Sequence, residues 1–598
     1  MNIRLSKREL GLFGLFIVGS AIAVGVLAVN GGDSSATTPW QIIPAPFLYI
    51  FCFNTLLLAG IIFSRAPTGL ILAAIVLHSL VFHSYLPLSH SLLYGADGWR
   101  HIGSEQRLLS GLPLAPAVIS DQATQSFIQR LDLGALSYAS LWWLTIGVAK
   151  FFGFSLLVVT IWLVPVLWSV SFPLLLYSFA RALGLETKKA LLVVWFSFLP
   201  FALTASGSLT LPSTLGFLPW LGGTVLLARY TEKRARGNLI PLLVVGAIIL
   251  FGYTLYAVLF ALQLVIFFLI SALARADWRA RSRHLALAAV ALSSALVLPL
   301  LELVAGFAGF NPGVNVLGQV KQLVGNLTAA YLAAGPRAHD IATGNIIFNQ
   351  TPLSAFVANA FTWSRWWLVL FMLAFFACLA LGLARLWRSR SILQQWLAAC
   401  TVAVSLGYCL SRYLLIGEQV LTRRLDPVLA LLWITLCSIG FFAWQESVSI
   451  ARWRRVSGIA AAIFVSAATA ASYSLGPDTG TLSADQYLGV QYVWGLIQKK
   501  DHAPCVVADT YPLLALEAAS ARQIIGGGLP ISQYFAQPEQ ARLYADLVRN
   551  PGNQAAWQEA LSLSGAEQCY VVAPFHSAKT KKFFVARFGD VGVWQYTK

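Results

Sequence analysis

Asp97, Trp99, Arg100, His101 and Glu105 crowd into the first long polar stretch that follows a series of apolar runs. On a helix, Asp97, His101 and Glu105 stand at i, i+4 and i+8 and share one face, with Ile102 and Leu109 on another. A carboxylate so placed can serve as general base toward an acceptor hydroxyl or help hold a divalent cation. An ordinary amphipathic surface helix with its polar face in water gives the same spacing. Further along, Arg412, Arg423 and Arg424 offer planar forks that match phosphate oxygens, or that snorkel to lipid headgroups. Glu302 lies near the end of an apolar run, where a carboxylate is costly unless paired or facing a cavity. It is a second candidate acid or one half of a structural ion pair. His78 and His83 sit inside an apolar run and read as packing or hydrogen-bonded residues.

These side chains must be positioned by membrane helices. Hydrophobic residues make up 58% of the chain and charged residues 11%, and the mean hydropathy is +0.71. Soluble domains carry about a quarter charged residues, so that class is excluded. The net charge of +17 falls in short basic clusters between apolar runs, which orients helices and gives no single nucleic-acid face. Apolar runs near the roughly 20 residues that a bilayer core requires number about thirteen. The first, 11–29 behind Arg4, Lys7 and Arg8, is long enough to be a retained anchor.

Clusters at Arg65, Arg181 with Lys188 and Lys189, 229–236, 275–283, 385–390 and 452–455 occupy alternate connections, which places the amino terminus in the cytoplasm. Spans at 45–63 and 70–86 then bring the Asp97 segment out on the far side. The stretch 134–150 reads as an interfacial or re-entrant helix. Spans at 154–179, 190–203 and 215–228 precede 239–273, which has basic clusters at both ends and must be a hairpin turning near Gly252-Tyr253-Thr254. A span at 285–303 leads to a second outer loop, 305–361, with sequons at Asn326 and Asn349, before spans at 367–384, 393–410, 428–442 and 459–471.

The layout is therefore 1–88 amino-terminal helices, 89–153 first outer loop, 154–476 helical core, and 477–598 an extracytoplasmic soluble domain. In that tail a helix at 486–499 and strands at 505–508, 523–525, 569–572 and 591–596 predict a small α/β layer. Cys505 and Cys569 begin two of the strands, where a disulfide would suit an oxidising exterior; the other five cysteines of the seven lie in apolar runs and read as packing residues.

Asp97-Gly98-Trp99-Arg100-His101 resembles the Asp-X-aromatic-X-His element in the first outer loop of oligosaccharyltransferase catalytic subunits, members of the GT-C superfamily of membrane glycosyltransferases. The arrangement of many spans, two long outer loops and an extracytoplasmic tail is similar too. The resemblance implies an all-α polytopic GT-C-like membrane protein with a small carboxy-terminal α/β domain, seated in the plasma membrane. It implies transfer of a sugar from a polyprenyl-phosphate lipid to a glycan, lipid or protein acceptor on the outer face. Asp97 takes the role of catalytic or metal-associated carboxylate, with His101 in support and Glu302 in place of a missing acid. Arg412, Arg423 and Arg424 take the donor phosphate, and Trp99, Arg100, Glu105 and Asp509 serve the acceptor or support the site.

Two departures limit what carries over. The turn at 205–212 has no carboxylate where those enzymes carry a second acidic pair, so a Mg or Mn ion and metal-free catalysis fit equally. Their Trp-Trp-Asp acceptor motif is missing, and the nearest acid after a strand is Asp509 in Ala508-Asp509-Thr510-Tyr511-Pro512, so transfer to asparagine is not supported. Two other classes remain: a transporter or flippase, which calls for paired broken helices and mid-membrane charge, and a noncatalytic scaffold that displays the tail. The donor sugar, the acceptor, the carrier's phosphate count and the oligomeric state are not readable from these residues.

Overall fold

The computed structural model describes residues 5–113, 133–233, 239–275, 280–310, 315, 317–318, 321, 346–347, 365–417, 420–473, 479–499, 503–531, 537–575 and 583–598. Both sequons and nearly all of the second outer loop lie outside the described residues.

Helices α1 (Lys7–Val29), α2 (Ala45–Phe63), α3 (Thr68–His83), α4 (Tyr85–Ser89) and α5 (Asp97–Leu109) open the chain. They are followed by α6 (Leu133–Phe152), α7 (Leu156–Ala182), α8 (Thr187–Phe196), α9 (Phe201–Ser208), α10 (Pro212–Lys233), α11 (Leu239–Leu250), α12 (Thr254–Arg275) and α13 (Ala280–Val304). After strand β1 (Ala308–Phe310) come α14 (Arg365–Arg388), α15 (Ile392–Leu414), strand β2 (Leu415–Gly417), the single-turn α16 (Val420–Arg423), α17 (Asp426–Ser447) and α18 (Ala451–Tyr473).

Among the described residues seven helices are long and apolar enough to cross a membrane: α1, α2, α7, α12, α15, α17 and α18. The protein is a multi-pass membrane protein. The sequence-based figure of about thirteen spans is not confirmed by these seven, and the region 190–203, read as one span, differs in form. Pro200 lacks the amide a helix needs and biases Leu199 away from helical geometry. The run is therefore two helices, α8 and α9, bent by 77°, and the pair counts as an eighth span only if taken together. Two other apolar helices, α3 and α11, are shorter than a span requires.

Small residues let the helices meet. A Cβ on Gly440 of α17 would run into the Cys378 carbonyl of α14, and one on Gly382 into the Leu436 carbonyl, so these two backbones touch directly. Polar side chains sort the two ends of the bundle. At one end Glu9 accepts the Arg65 amide at 2.8 Å, Lys188 donates to the Ile62 carbonyl at 2.6 Å, and Glu446 pairs with Lys189 at 2.5 Å and Arg385 at 2.9 Å. That end collects the basic connections. At the other end lie α5, the β1–β2 ribbon and the carboxy-terminal domain.

The carboxy-terminal domain comprises α19 (Ala484–Ile497), β3 (Val506–Ala508), α20 (Thr510–Ala519), α21 (Pro538–Arg549), α22 (Gln554–Ser564), β4 (Gln568–Pro574), β5 (Phe584–Phe588) and β6 (Val591–Thr597). The sheet order is β3-β4-β6-β5, with β3 parallel to β4 and the other pairs antiparallel. Strand alternation splits its side chains between two cores. Val506, Ala508, Val572 and Val593 join the core shared with the membrane bundle, whereas Val507, Val571 and Trp594 pack with Trp557, Leu543 and Leu547 in a core of their own. Residues 523–525 form a turn and not a strand, because Ala521 and Arg522 before them take left-handed backbone and Gly526 to Gly528 follow with positive φ. The edge strand β5 was not foreseen.

Cys505 and Cys569 are joined by a disulfide across β3 and β4, closing 64 residues. Loop-closure entropy for a ring of that size is worth about 4 kcal/mol. Reduction, or Cys505→Ser with Cys569→Ser, is expected to destabilise the domain by about that amount. Hydrogen exchange at β3 and β4, with and without reductant, measures it; unchanged protection would show that the bridge contributes little.

Candidate functional site

Gly95 adopts φ +86, open to glycine without strain, and its N–H donates to the Gly480 carbonyl at 2.9 Å. This turn starts α5 at Asp97, in the first helical turn, where exposed amides favour negative charge. The Asp97 side chain is half-buried and makes no hydrogen bond or ion pair among the described residues.

One turn on, His101 is buried against α6, its ring 5.1 Å from Tyr138. Its Nδ1 accepts the Trp142 indole N–H at 3.2 Å, so the proton of the neutral ring sits on Nε2. Burial lowers its pKa to about 4, against the partly compensating charge of Asp97. At neutral pH His101 is therefore an uncharged donor through Nε2 beside a carboxylate.

Glu105, next on the same face, is fully buried and accepts the Thr145 hydroxyl of α6 at 2.5 Å. The face carrying Asp97, His101 and Glu105 thus turns toward α6 beyond its first residue. Burial raises the Glu105 pKa to about 8, with Thr145 pulling it down. A raised folded-state pKa means stability that is full below the unfolded value of 4.5 and is lost as pH climbs through about 8. Glu105→Gln keeps an acceptor for Thr145 and cannot ionise. It is expected to flatten the fall in melting temperature over that pH window, as thermal unfolding in detergent at stepped pH would record; an unaltered slope would show that Glu105 is not the titrating group.

The remaining faces of α5 meet the carboxy-terminal domain. Trp99 is buried with its ring 5.5 Å from Tyr487 of α19. Arg100 lies 3.9 Å from the Glu517 carboxylate of α20. Asp509 caps α20, its Oδ1 accepting the Thr510 amide at 2.7 Å.

The arginines gather where α13, α15 and α17 end or begin, at the same end of the bundle as α5. Arg412 donates to the Tyr408 hydroxyl at 2.6 Å and stacks over its ring at 5.7 Å. Arg424 is half-buried after α16, its amide bonded to the Leu421 carbonyl at 3.1 Å. The Arg423 side chain lies outside the described residues. Glu302 holds this segment in place: fully buried, it accepts the Thr422 amide at 2.9 Å, the Thr422 hydroxyl at 2.8 Å and the Ser411 hydroxyl. The β1–β2 ribbon closes over it, with Gly417 at φ +109 so near the 307–308 backbone that a Cβ would lie 2.7 Å from the Phe307 carbonyl. His78 and His83 are buried and hydrogen-bonded, to Thr55 at 3.2 Å and to the Ser79 carbonyl at 2.9 Å.

Neither a protein-family model nor a curated protein matches the chain. Solved structures do resemble it. The archaeal oligosaccharyltransferase AglB from Archaeoglobus fulgidus, in complex with an inhibitory peptide and a dolichol-phosphate, has a TM-score of 0.47 at 11% identity, covering 84% of this chain and 69% of that one. The Archaeoglobus fulgidus oligosaccharyltransferase in complex with Zn and sulfate gives 0.48 at 11% identity over 85% and 68%. Its apo form gives 0.49 at 10% identity over 86% and 70%.

Three charged residues here escaped sequence reasoning. Asp426, fully buried in the first turn of α17, lies two residues after Arg424, and that proximity was a usable signal. Glu517 is an acid within the apolar run 512–519, and Arg522 stands five residues on. No group of three His, Cys, Asp or Glu side chains able to hold a metal ion is found among the described residues.

Proposed function

We propose that the protein is a GT-C-type membrane glycosyltransferase that moves a sugar from a polyprenyl-phosphate donor to an acceptor hydroxyl on the extracytoplasmic face. One observation carries this: the Asp97 carboxylate is unpartnered among the described residues, while the other candidate acids are engaged, Glu105 by Thr145, Glu302 by Thr422 and Ser411, Glu517 by Arg100, and Asp509 in its helix cap. Asp97 takes the acceptor proton, the acceptor oxygen bonds the anomeric carbon, and the bond from that carbon to the phosphate oxygen breaks. Polyprenyl phosphate leaves with the bonding electrons. Neutral His101, one turn on, carries its proton on Nε2 beside the carboxylate, and Arg412, Arg423 and Arg424 draw the phosphate. The basic end of the bundle faces the cytoplasm by the positive-inside rule, which puts α5 and the carboxy-terminal domain outside.

Purified protein given a polyprenyl-phosphate hexose labelled in the sugar is expected to release unglycosylated polyprenyl phosphate as label moves to acceptor. Donor that stays intact with every acceptor class, glycan, lipid and protein, would count against the assignment.

The bend between α8 and α9 favours a second reading as a flippase, since transporters build substrate sites from broken helices. Those folds use such breaks in pairs, and one bent pair is present among the described residues.

A further inference from the structure

The contact between α5 and α20 is too close and too polar for an incidental domain boundary. A Cβ placed on Gly103 would lie 2.8 Å from the Arg522 Cγ, 2.9 Å from the Glu517 carbonyl and 3.3 Å from the Ala518 Cα, so only glycine permits this approach. On either side of Gly103, side chains reach across. Arg100 faces the Glu517 carboxylate at 3.9 Å, Arg522 donates to the Ser104 hydroxyl at 3.3 Å, and Arg107 donates to the Ala521 carbonyl at 3.3 Å.

The turn that presents Arg522 is strained. Ala521 and Arg522 have φ of 50° and 56°, a left-handed conformation that non-glycine residues adopt only when the surroundings impose it. It is tied back by the Arg522 amide to the Glu517 carbonyl at 2.7 Å and by the Gly526 amide to the Glu517 carboxylate at 3.4 Å. Glu517 is 3% exposed. Burial raises its pKa, and Arg100 and Arg522 counter that rise. A buried carboxylate between two arginines specifies one docking geometry and is penalised in any other.

We propose that Glu517 and Arg522 are positioning residues: through Arg100 and Ser104 they lock α5 against the carboxy-terminal domain and so fix Asp97 in its reactive place. The effect on catalysis rests on the glycosyltransferase reading, whereas the lock itself does not. An ångström of displacement in a reacting group costs on the order of 100-fold in rate.

The test uses full-length protein with Glu517→Gln, which removes the charge at constant volume, and Gly103→Ala, which forces the helices apart from the opposite side. Both are expected to raise hydrogen exchange across residues 97–109 and to lower turnover by about 30-fold or more at saturating donor and acceptor, with the donor KM unchanged. The unchanged KM separates lost positioning from lost binding, and either variant suffices if the other fails to fold. Wild-type turnover in a folded variant would overturn the proposal, as would unchanged exchange in α5. If wild-type protein transfers no sugar while both variants still loosen α5, the functional reading fails and the lock stands.

Discussion

Asp97→Asn is expected to lower sugar transfer by about 1000-fold while leaving the melting temperature and the donor KM close to where they were. Asparagine keeps the size of the side chain and cannot take a proton, and general bases contribute on the order of 10² to 10⁴ in rate. Stability changes little because Asp97 has no hydrogen-bond or ion-pair partner among the described residues to lose, and its charge at the start of α5 contributes at most about 1 kcal/mol. His101, whose Nδ1 is held by Trp142, stays in place. The measurement is turnover at saturating donor beside thermal unfolding of the same sample. A variant that loses activity only in proportion to lost folded protein would show Asp97 to be structural.

Glu302→Ala is expected to do the opposite, damaging stability first. It strands the buried Thr422 amide and the hydroxyls of Thr422 and Ser411, each costing about 1 kcal/mol or more, so about 3 kcal/mol in all. With α16 released, the arginines beside it lose their anchorage and the donor KM is expected to rise at least about tenfold, equivalent to about 1.4 kcal/mol of binding. Glu302→Gln replaces one acceptor oxygen by a donor and is expected to fall between, at about 1–2 kcal/mol. Glu302 acting as a catalytic acid would give another pattern: Glu302→Gln stable and inactive, like Asp97→Asn. Melting temperature and donor KM of the two variants separate the roles.

Both expectations turn on placement, which the sequence disclosed unevenly. The spacing of Asp97, His101 and Glu105 showed the helix and its shared face, because helical periodicity is local. It did not show that α6 would bury His101 and Glu105, since Trp142 and Thr145 are about forty residues away and nothing in their pattern marks them as partners. Apolar runs revealed the membrane class, and the basic clusters revealed which connections gather at one end. The run 190–203 read as one span, and the 77° bend at Pro200 that splits it into α8 and α9 depends on how the two pack. Cys505 and Cys569 stood out because each opens an apolar strand, and strand pairing brought them together. Glu302 drew notice as an acid in an apolar run, but its partners Ser411 and Thr422 are more than a hundred residues distant. The Gly103 contact with α20 was invisible, as a glycine in a helix gives no sign of what lies against it.

The most direct measurement follows a sugar-labelled polyprenyl-phosphate donor in sealed vesicles that contain the wild-type protein or Asp97→Asn. With the wild type, the bond between sugar and phosphate is expected to break on the vesicle face that carries the carboxy-terminal domain, with label appearing on the acceptor; with Asp97→Asn, both donor and acceptor are expected to persist unchanged. Intact donor crossing to the opposite leaflet, at the same rate with either protein and with no covalent change, would contradict glycosyl transfer and establish a flippase.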